Sequence, residues 1–596
     1  MKQIVVFILA AIGLISNADA ATSASALESL LPAETVLLIA APEYASAKKH
    51  FKASALGKFW DSAEFRPFRK KFADGFEANV LVRIEEELAV DFERFEEMAN
   101  GPVALAVVLE QDISTQPSLL FLLDAGRKTF TLRRTLSQLE RDWKKEGHEV
   151  SETEIGGVDF ATVSDPDSDV KVHVGRVGAQ LIIGTGANHI EGVLNRLNGK
   201  VDGALIGNTA FAMDRNALLN EADIYMWADF GRVIPQLLDN VPFGAELGID
   251  FSEVVGSLGF NELGTSAITY RDRPDGVHLN MFFGLPESKR KGLFNLLNTR
   301  LADASPPVFV PTDVVTYTRW RADLSDAWSN FEKLLLELSP DVANVVEFTV
   351  GLLGKDKDSN FDFKKKFLAN FGDDLIFYQM PPKDLSLSSL GSGSMVALVK
   401  SPDPEGLIQG IGAIPGILPP PLNEAELKPR KLGKNTAYSF GLIELPDPST
   451  GELVESEVLF AVKEGYLAIS NDLDQLLALL DGKKQHALTK RERLAMAATV
   501  VGGTDSGFFS YQNDRVMIRS VVDTLNANAD QFGMIFSMIP MEGLNEVSLD
   551  DWLDFSLLPK GEIIAKYFDF TVYGASNDGR GFTLKMFSPR PQGLKR

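Results

Sequence analysis

The sequence predicts an α+β protein made of two tandem, diverged copies of one domain, each with antiparallel sheets and helices packed on one face. Three observations favour this fold. Apolar strands and helices recur in the same order in both halves, and many neighbouring strands are separated by short turn sequences. The chain also has 596 residues, which exceeds the size at which a single core usually stops growing.

The N-terminus has the features of an export signal. Lys2 precedes an apolar run over residues 4–15, and Ala-Asp-Ala at 18–20 fits the small-x-small pattern of a cleavage site. The run is too short for a permanent membrane anchor, and the absence of cysteine excludes a lipoprotein. We therefore expect residues 1–20 to be a signal peptide, and the mature protein to be periplasmic or secreted and not membrane-spanning.

Each half is expected to open with a strand that has a proline near its start. The first opens at residues 31–39 and the second at 310–317. In both halves an Asp-Phe pair then stands ten residues before a glycine, which introduces further apolar strands. These strands are expected at 103–109 and 119–123 in the first half and at 375–378 and 395–399 in the second.

A strand pair followed by a helix comes next in both halves. The expected strand pairs are 170–174 with 180–183, and 458–462 with 466–469. Apolar residues at helical spacing follow each pair, at Ile190, Val193, Leu194 and Leu197 in the first half and at Leu473, Leu476, Leu477 and Leu480 in the second. Both helices end at a Gly-Lys pair, with Gly199 and Gly482 suited to a left-handed cap.

Each half closes with two strands around an Asp-Gly turn, at 275–276 and 578–579. A further helix is expected in the first half around Leu132, Leu136, Leu139 and Trp143. The boundary between the copies is placed at Ala-Ser-Pro-Pro, residues 304–307, because the prolines cannot continue a helix. The expected domains are therefore residues 21–304 and 305–596.

Several of these segments resemble a known family. They are LPAETV at 31–36, SALGKFW at 54–60, RPF at 66–68, and the stretch from Asp91 to Leu105 with its Gly-x-x-Ala-Leu end. They are similar to the exported bacterial family catalogued as domain of unknown function 3352, and the likeness spreads over most of the mature chain. The resemblance implies an envelope-associated or secreted location and assigns no chemistry.

Charge and motifs exclude several classes of function. A net charge of −23 repels nucleic acid, so no nucleic-acid partner is expected. None of the Gly-Lys pairs is followed by Ser or Thr, and the sequence contains neither Gly-x-Ser-x-Gly nor His-Glu-x-x-His. No cofactor is expected, no catalytic residue is assigned, and enzymatic activity is left open, with a non-enzyme favoured.

Three alternating carboxylates form a candidate metal site. Asp165, Asp167 and Asp169 could gather around a hard cation such as Ca²⁺. Val170 stands where a calcium-binding loop requires glycine, and Arg176 stands where its bidentate glutamate would be. A solvated turn built on Pro166 is the alternative explanation.

Residues 48–71 run against the acidic composition and are called the basic-aromatic segment. Phe65, Phe68, Phe72 and Phe76 recur on one face of a predicted helix. Either this stripe faces the core beneath a basic outer surface, or the segment contacts an anionic lipid or glycan. The candidate contact residues are Lys48, Lys49, Lys52, Arg66, Arg69 and Lys70.

Residues 407–422 are apolar and rich in glycine and proline. An exposed run of this kind would mark a partner or membrane contact, with Ile411, Ile414 and Ile417 as candidates. The alternative is a loop packed over its own sheet. Three consecutive prolines at 419–421 exclude a spanning helix.

Two functional hypotheses remain. The first is a non-catalytic envelope or secreted protein that binds an envelope protein, a lipid or a glycan, with the groove between the two copies as one place for the ligand. The second is a hydrolase of unrecognised type that uses carboxylates from distant strands. Two carboxylates within reach of each other in a deep pocket, with raised pKa values, would favour the second.

Overall fold

The computed structural model describes residues 27–76, 98–109, 117–164, 170–200, 202–240, 251–297, 299–322, 324–355, 358–383, 385, 393–418, 425–441, 443–446, 453–482, 486–529 and 553–594. Helices and antiparallel strands are mixed throughout, so the predicted α+β class is confirmed. We call the part up to residue 297 the first half and the part from residue 299 the second half.

The described strands of the first half are β1 Thr35–Ala41, β2 Val103–Val108, β3 Ser118–Asp124, β4 Glu149–Ile155, β5 Val158–Ser164, β6 Lys171–Val177, β7 Gln180–Gly184, β8 Ile224–Asp229, β9 Thr265–Arg273 and β10 Gly276–Phe283. Those of the second half are β11 Thr316–Trp320, β12 Leu375–Gln379, β13 Met395–Lys400, β14 Lys428–Leu432, β15 Asn435–Ser439, β16 Ile443–Pro446, β17 Leu453–Ser456, β18 Leu459–Lys463, β19 Tyr466–Ser470, β20 Phe508–Gln512, β21 Thr571–Asp578 and β22 Gly581–Pro589.

The α-helices of the first half are α1 Tyr44–Ala53, α2 Ala55–Trp60, α3 Arg66–Phe76, α4 Thr129–Glu146, α5 Ala187–Leu197, α6 Thr209–Asp214, α7 Phe230–Asn240 and α8 Phe251–Ser257. Those of the second half are α9 Leu324–Leu338, α10 Pro340–Leu352, α11 Phe363–Lys366, α12 Pro404–Ile411, α13 Leu473–Asp481, α14 Leu494–Val500, α15 Asp514–Ala527 and α16 Gly561–Ala565. None of the helices in the described part of the chain has both the length and the apolar composition needed to cross a membrane.

Both halves have the same strand order. In the first half the pairing runs β4-β5-β6-β7-β3-β2-β1-β8-β9-β10, and every pair is antiparallel. In the second half it runs β14-β15-β18-β19-β13-β12-β11-β20-β21-β22, again antiparallel throughout. The inserted strands β16 and β17 form a separate hairpin. This shared order supports the predicted duplication.

The two halves join into one sheet through their last strands. β10 pairs with β22, so equivalent strands meet antiparallel, with Asn280 opposite Lys585. Both strands read Gly-x-x-Leu-x-Met-Phe, from Gly276 and from Gly581. Asn280 and Lys585 are equivalent residues of the two strands, and the strands are antiparallel. A two-fold axis through this pair therefore relates the two sides of the junction approximately.

The pairing register also corrects the expected turn alignment. The turn residues are 274–275 in the first hairpin and 579–580 in the second, since Arg273 pairs with Gly276 and Asp578 pairs with Gly581. Asp275 is therefore a turn residue, whereas Asp578 is the last residue of its strand. The two Asp-Gly pairs are not structurally equivalent.

Most of the predicted elements are present, but the opening strands begin later than expected. β1 and β11 start after Pro32 and Pro311, which form only isolated bridges to Ala204 and Ala487. The predicted glycine caps are confirmed, because Gly199 and Gly482 both have positive φ. Ala304, at the expected boundary, is fully buried and packs in the core of the second half.

Helices cover both faces of the sheet, not one. Alternate residues of β3 point in opposite directions, with Leu122 in the core beside α5 and Leu123 in the core beside α4. In the second half, Leu398 packs with α13 and Val399 packs with α12. The central strands are apolar on both faces, which is why a helix is needed on each side.

Candidate functional site

The basic-aromatic segment forms α1, α2 and α3, and it only partly matches the expected surface. Lys48 is 1% exposed and lies on the face of α1 that carries the buried Tyr44 and Ala47, with its ammonium 5.9 Å from the Tyr44 ring. The expectation that Lys48 contributes to a contact surface is therefore wrong. The exposed members of the set are Lys49, Lys52, Arg66 and Lys70.

Arg69 is partly exposed and already engaged. Its guanidinium lies 2.8 Å from the Asp61 carboxylate and donates to the carbonyl of Trp60. Lys70 forms an exposed ion pair with Asp74 at 2.6 Å. The helix α3 also lines a shallow cavity of about 550 Å³, whose lining residues Arg66, Pro67, Lys70, Lys71, Asp74 and Gly75 all come from this one helix.

The aromatic side of the segment packs against the second half. The ring of Phe59 lies 5.7 Å from that of Tyr567, and the ring of Phe68 lies 6.2 Å from that of Phe555. Phe65 is 5% exposed and packs between Phe59 and Phe68. The stripe therefore faces the protein, as the first interpretation predicted, and the side chain of Phe76 lies outside the described part.

Two ion pairs extend this contact between the halves. Lys71 lies 3.1 Å from Asp554, and Lys566 lies 3.6 Å from Glu64. Lys566 belongs to the rim of a larger cavity in the second half. The basic-aromatic segment thus abuts the most cationic cavity described below.

That cavity, which we call the basic groove, has a volume of about 770 Å³. It lies between α15, α16 and the segment that follows β12. Its lining residues are Pro381, Pro382, Lys383, Leu385, Arg515, Val516, Arg519, Ser520, Asp523, Glu562, Ala565, Lys566 and Gln592. Four of them are cationic and two are acidic, so the groove has a positive charge balance in a chain whose net charge is −23.

Local contacts build the groove. Asn513 caps α15 by accepting a hydrogen bond from the N–H of Val516, and Asp523 accepts one from the N–H of Gly561 at the start of α16. A Cβ at Gly561 would lie only 2.5 Å from the carbonyl oxygen of Arg519. Glycine is therefore required for the close approach of α16 to α15.

The cations of the groove differ in how far they are neutralised. Lys383 lies 2.6 Å from the buried carboxylate of Asp472, and this hydrogen bond raises the pKa of the lysine. Arg519 lies 3.6 Å from Asp523. Arg515 donates to the carbonyl of Phe568 and has no carboxylate partner among the described residues. Arg515 and Arg519 stand one helical turn apart, so they can bind one anionic group together.

Apolar side chains also line the groove, between its charged residues. The predicted apolar run, residues 407–422, is not among them. Pro381, Pro382, Leu385, Val516 and Ala565 line the groove between the charges. This combination suits a ligand with an anionic head and an apolar body. Nothing in the sequence alone indicates the groove, because its three parts are far apart along the chain.

The apolar run 407–422 forms α12 and the following turn Ile414–Ile417. Leu407 and Ile408 are fully buried beside Val399, and Ile411 and Ile414 are half-buried. The run therefore packs over its own sheet, and α12 follows β13 as α4 follows β3. Ile417 lies in the turn, and residues 419–422 lie outside the described part.

The three predicted metal-site carboxylates, Asp165, Asp167 and Asp169, also lie outside the described residues. Within the described part, no cluster of three or more acidic or histidine side chains could hold a metal ion. His173 lies in β6 and hydrogen-bonds to Thr162, and the strand pairing places Leu459 at its equivalent position.

A buried charged cluster lies where the two halves meet. Asp223 is 8% exposed and contacts His50 at 3.1 Å and Arg273 at 3.0 Å, while it accepts a hydrogen bond from the N–H of Asp272. Asp272 is 3% exposed and lies 3.2 Å from Arg590 of the second half. Burial raises the pKa of Asp272 to about 6. Neither carboxylate lines the cavities described here.

A third cavity, of about 180 Å³, lies in the first half. Its wall includes Tyr225, whose hydroxyl donates to Glu28 at 2.6 Å, and Arg215, whose Nε lies 3.6 Å from the same carboxylate. Strand pairing places Phe509 at the position equivalent to Tyr225. The second half therefore lacks this polar pair.

Comparisons with known proteins identify no family. No protein-family model matches the sequence, and no curated protein matches it significantly. Among solved structures, crystal form I of TP0453 is similar with a TM-score of 0.24 and 11% identity, covering 48% of this chain and 89% of that one. Crystal form III of TP0453 gives a TM-score of 0.24 and 10% identity, covering 48% and 90%. Scores of this size carry no argument about fold or function.

Proposed function

We propose that the protein is exported to the bacterial envelope and binds an anionic amphiphile in the basic groove without catalysing a reaction. The carrying observation is the groove itself, a cavity of about 770 Å³ with four cationic side chains in a strongly acidic chain. The signal-like N-terminus and the resemblance to an exported family support the location.

The chemistry of the groove favours a ligand with one anionic group. Arg515 and Arg519 provide adjacent guanidinium groups, which bind phosphate or carboxylate through paired hydrogen bonds. The apolar wall then accommodates an acyl chain or the apolar face of a sugar ring. An acidic lipid and an acidic glycan share this chemistry, and the experiment below distinguishes them.

The hydrolase alternative would rest on Asp223 and Asp272. They are close together and the pKa of Asp272 is raised, which meets part of the criterion for a carboxylate pair. Both are buried, however, and each is held by an arginine. An ion-pair network that joins the two halves explains these residues without substrate access, so the binding function is preferred.

Native mass spectrometry of the protein recovered from its own extracytoplasmic fraction tests the proposal. We expect a chain cut after Ala20 that carries an additional mass, which fragmentation assigns to a lipid or to a glycan. In the variant R515Q/R519Q, most of the protein should lack the additional mass. In K355Q/K365Q, which removes two exposed lysines outside the groove, the protein should still carry it. A bare wild-type chain, or equal retention in both variants, would exclude the groove as the ligand site.

A further inference from the structure

The sheet has two unpaired edges, and they carry opposite charge. Within the described residues, β4 pairs only with β5, and β14 pairs only with β15. β4 carries the exposed Glu149, Glu152 and Glu154, and we call it the acidic edge. β14 carries the exposed Lys428, Arg430 and Lys431, and we call it the basic edge.

These edges occupy equivalent positions in the two halves. Each strand comes first in the common strand order, so the acidic edge and the basic edge are counterparts. Charged side chains on edge strands usually prevent edge-to-edge association. Here two acidic edges repel each other, and so do two basic edges. Only the pairing of an acidic edge with a basic edge is electrostatically favourable.

The backbone geometry also permits that pairing. Two-residue turns close both hairpins, at Ile155–Val158 and at Leu432–Asn435. Because bonded and non-bonded pairs alternate from the turn, the peptide groups of Glu152, Glu154 and Lys431 point away from their own hairpins. Pro429 has no N–H and offers only its carbonyl on that side.

An antiparallel register with Lys431 opposite Glu152 pairs the outward-pointing peptide groups of the two strands, except the carbonyl of Glu154, which faces Pro429. Lys431 and Glu152 would exchange two hydrogen bonds, and Pro429 would accept one from the N–H of Glu154. In this register the Lys431 and Glu152 side chains lie on the same face and within reach of each other. Strand directions alternate along the whole sheet, so a second copy in the same orientation presents its acidic edge antiparallel to the basic edge.

We propose that this surface binds a second copy of the chain, and that the acidic edge of one copy pairs with the basic edge of the next. The contact joins two different surfaces and therefore leaves one edge free at each end. Assembly is head-to-tail and open-ended, and each added copy extends the same sheet.

Sedimentation velocity over a protein concentration series at low ionic strength tests this proposal. The wild type should form a ladder of oligomers that shortens as salt is added, because exposed charges are screened. Both K428E/K431E, with two acidic edges, and E152K/E154K, with two basic edges, should associate at least about tenfold more weakly. A mixture of these two variants should regain the ladder, since every contact in it again joins an acidic edge to a basic edge.

The control is K355E/K365E, which changes the net charge by the same amount as K428E/K431E at exposed lysines away from both edges. It should assemble like the wild type. Circular dichroism of each variant confirms that the fold is kept. A wild type that stays monomeric across the series, edge variants that associate normally, or a mixture that stays monomeric would each overturn the proposal.

Discussion

At the scale of single residues, Asp272 links folding to pH. Burial raises its pKa to about 6, from an ordinary value of 3.8. The folded state therefore holds this proton more tightly than the unfolded state. The resulting stabilisation is complete below pH 3.8 and is lost as the pH rises through about 6.

Replacing Asp272 by Asn should remove this pH dependence. As the pH rises from 4 to 6, wild type loses stability because Asp272 ionises, and the variant does not. The free energy of unfolding of the variant minus that of wild type should therefore increase over this range. Urea denaturation at several pH values measures the difference. Asp275→Asn, at a half-exposed turn carboxylate of the same hairpin, serves as the control. Parallel curves for D272N and wild type would contradict the expectation.

Tyr225 provides a second test at this scale. Its hydroxyl donates to the buried carboxylate of Glu28, and burial together with the charge of Glu28 raises the pKa of the tyrosine. Tyr225→Phe should lower the free energy of unfolding by about 1.5–3 kcal/mol, because a buried charge loses a hydrogen bond. Chemical denaturation at neutral pH measures the change.

Tyr270→Phe is the matched control for this substitution. The Tyr270 hydroxyl is buried on the neighbouring strand and has no hydrogen-bond partner among the described residues. Its removal should be neutral or stabilising. Equal losses in the two variants would show that the Glu28 contact contributes nothing beyond packing.

At the scale of elements, the close contact of α15 and α16 shapes the basic groove. Gly561→Ala would place a Cβ 2.5 Å from the carbonyl of Arg519, so α16 must move away from α15. We expect a loss of about 1–3 kcal/mol in unfolding free energy together with weaker ligand retention. Thermal unfolding and native mass spectrometry measure the two effects.

Gly579→Ala is a suitable control, since a Cβ there meets no atom within 4 Å. It should change neither stability nor ligand retention. If G561A behaved like G579A, the spacing of α15 and α16 would not determine the groove.

Elements with local signals could be predicted from the sequence, and the site could not. The helix α5 and its cap at Gly199 follow from apolar spacing and from the preference of glycine for positive φ, which are properties of a short segment. The basic groove brings Lys383, Arg515 and Lys566 together from parts of the chain that carry no shared motif. Only the strand order places them side by side.

The misplacement of Lys48 has a related cause. Its neighbours in the sequence are basic, and composition alone therefore suggested a solvated face. The helix α1 uses that face to cover the sheet, since Tyr44, Ala45 and Ala47 are buried with it. Charge counting could not reveal which side of α1 faces the core, because a lysine stem is itself apolar.

At the scale of the whole molecule, the junction between β10 and β22 determines whether the two halves unfold together. Eight residue pairs join the strands, and three arginines cross the junction: Arg580 contacts Asp214, Arg590 contacts Asp272, and Arg290 contacts Asn577. If one half unfolds, the strand pairing that it shares with the other half is lost, which destabilises the other half. We therefore expect wild type to show a single calorimetric unfolding transition.

Met281→Pro should allow the two halves to unfold independently of each other. Met281 lies opposite Leu584 near the centre of the junction, and its N–H points toward β22, so proline removes a ladder hydrogen bond and distorts the pairing. Each half retains its own core, so the variant should show two transitions in differential scanning calorimetry, the first at a lower temperature than in wild type. Met281→Val, which keeps the N–H, should preserve a single transition. Two transitions in wild type would show that the junction does not couple the halves. A single transition in the proline variant would show that they are coupled through other contacts, such as the aromatic contacts of the basic-aromatic segment.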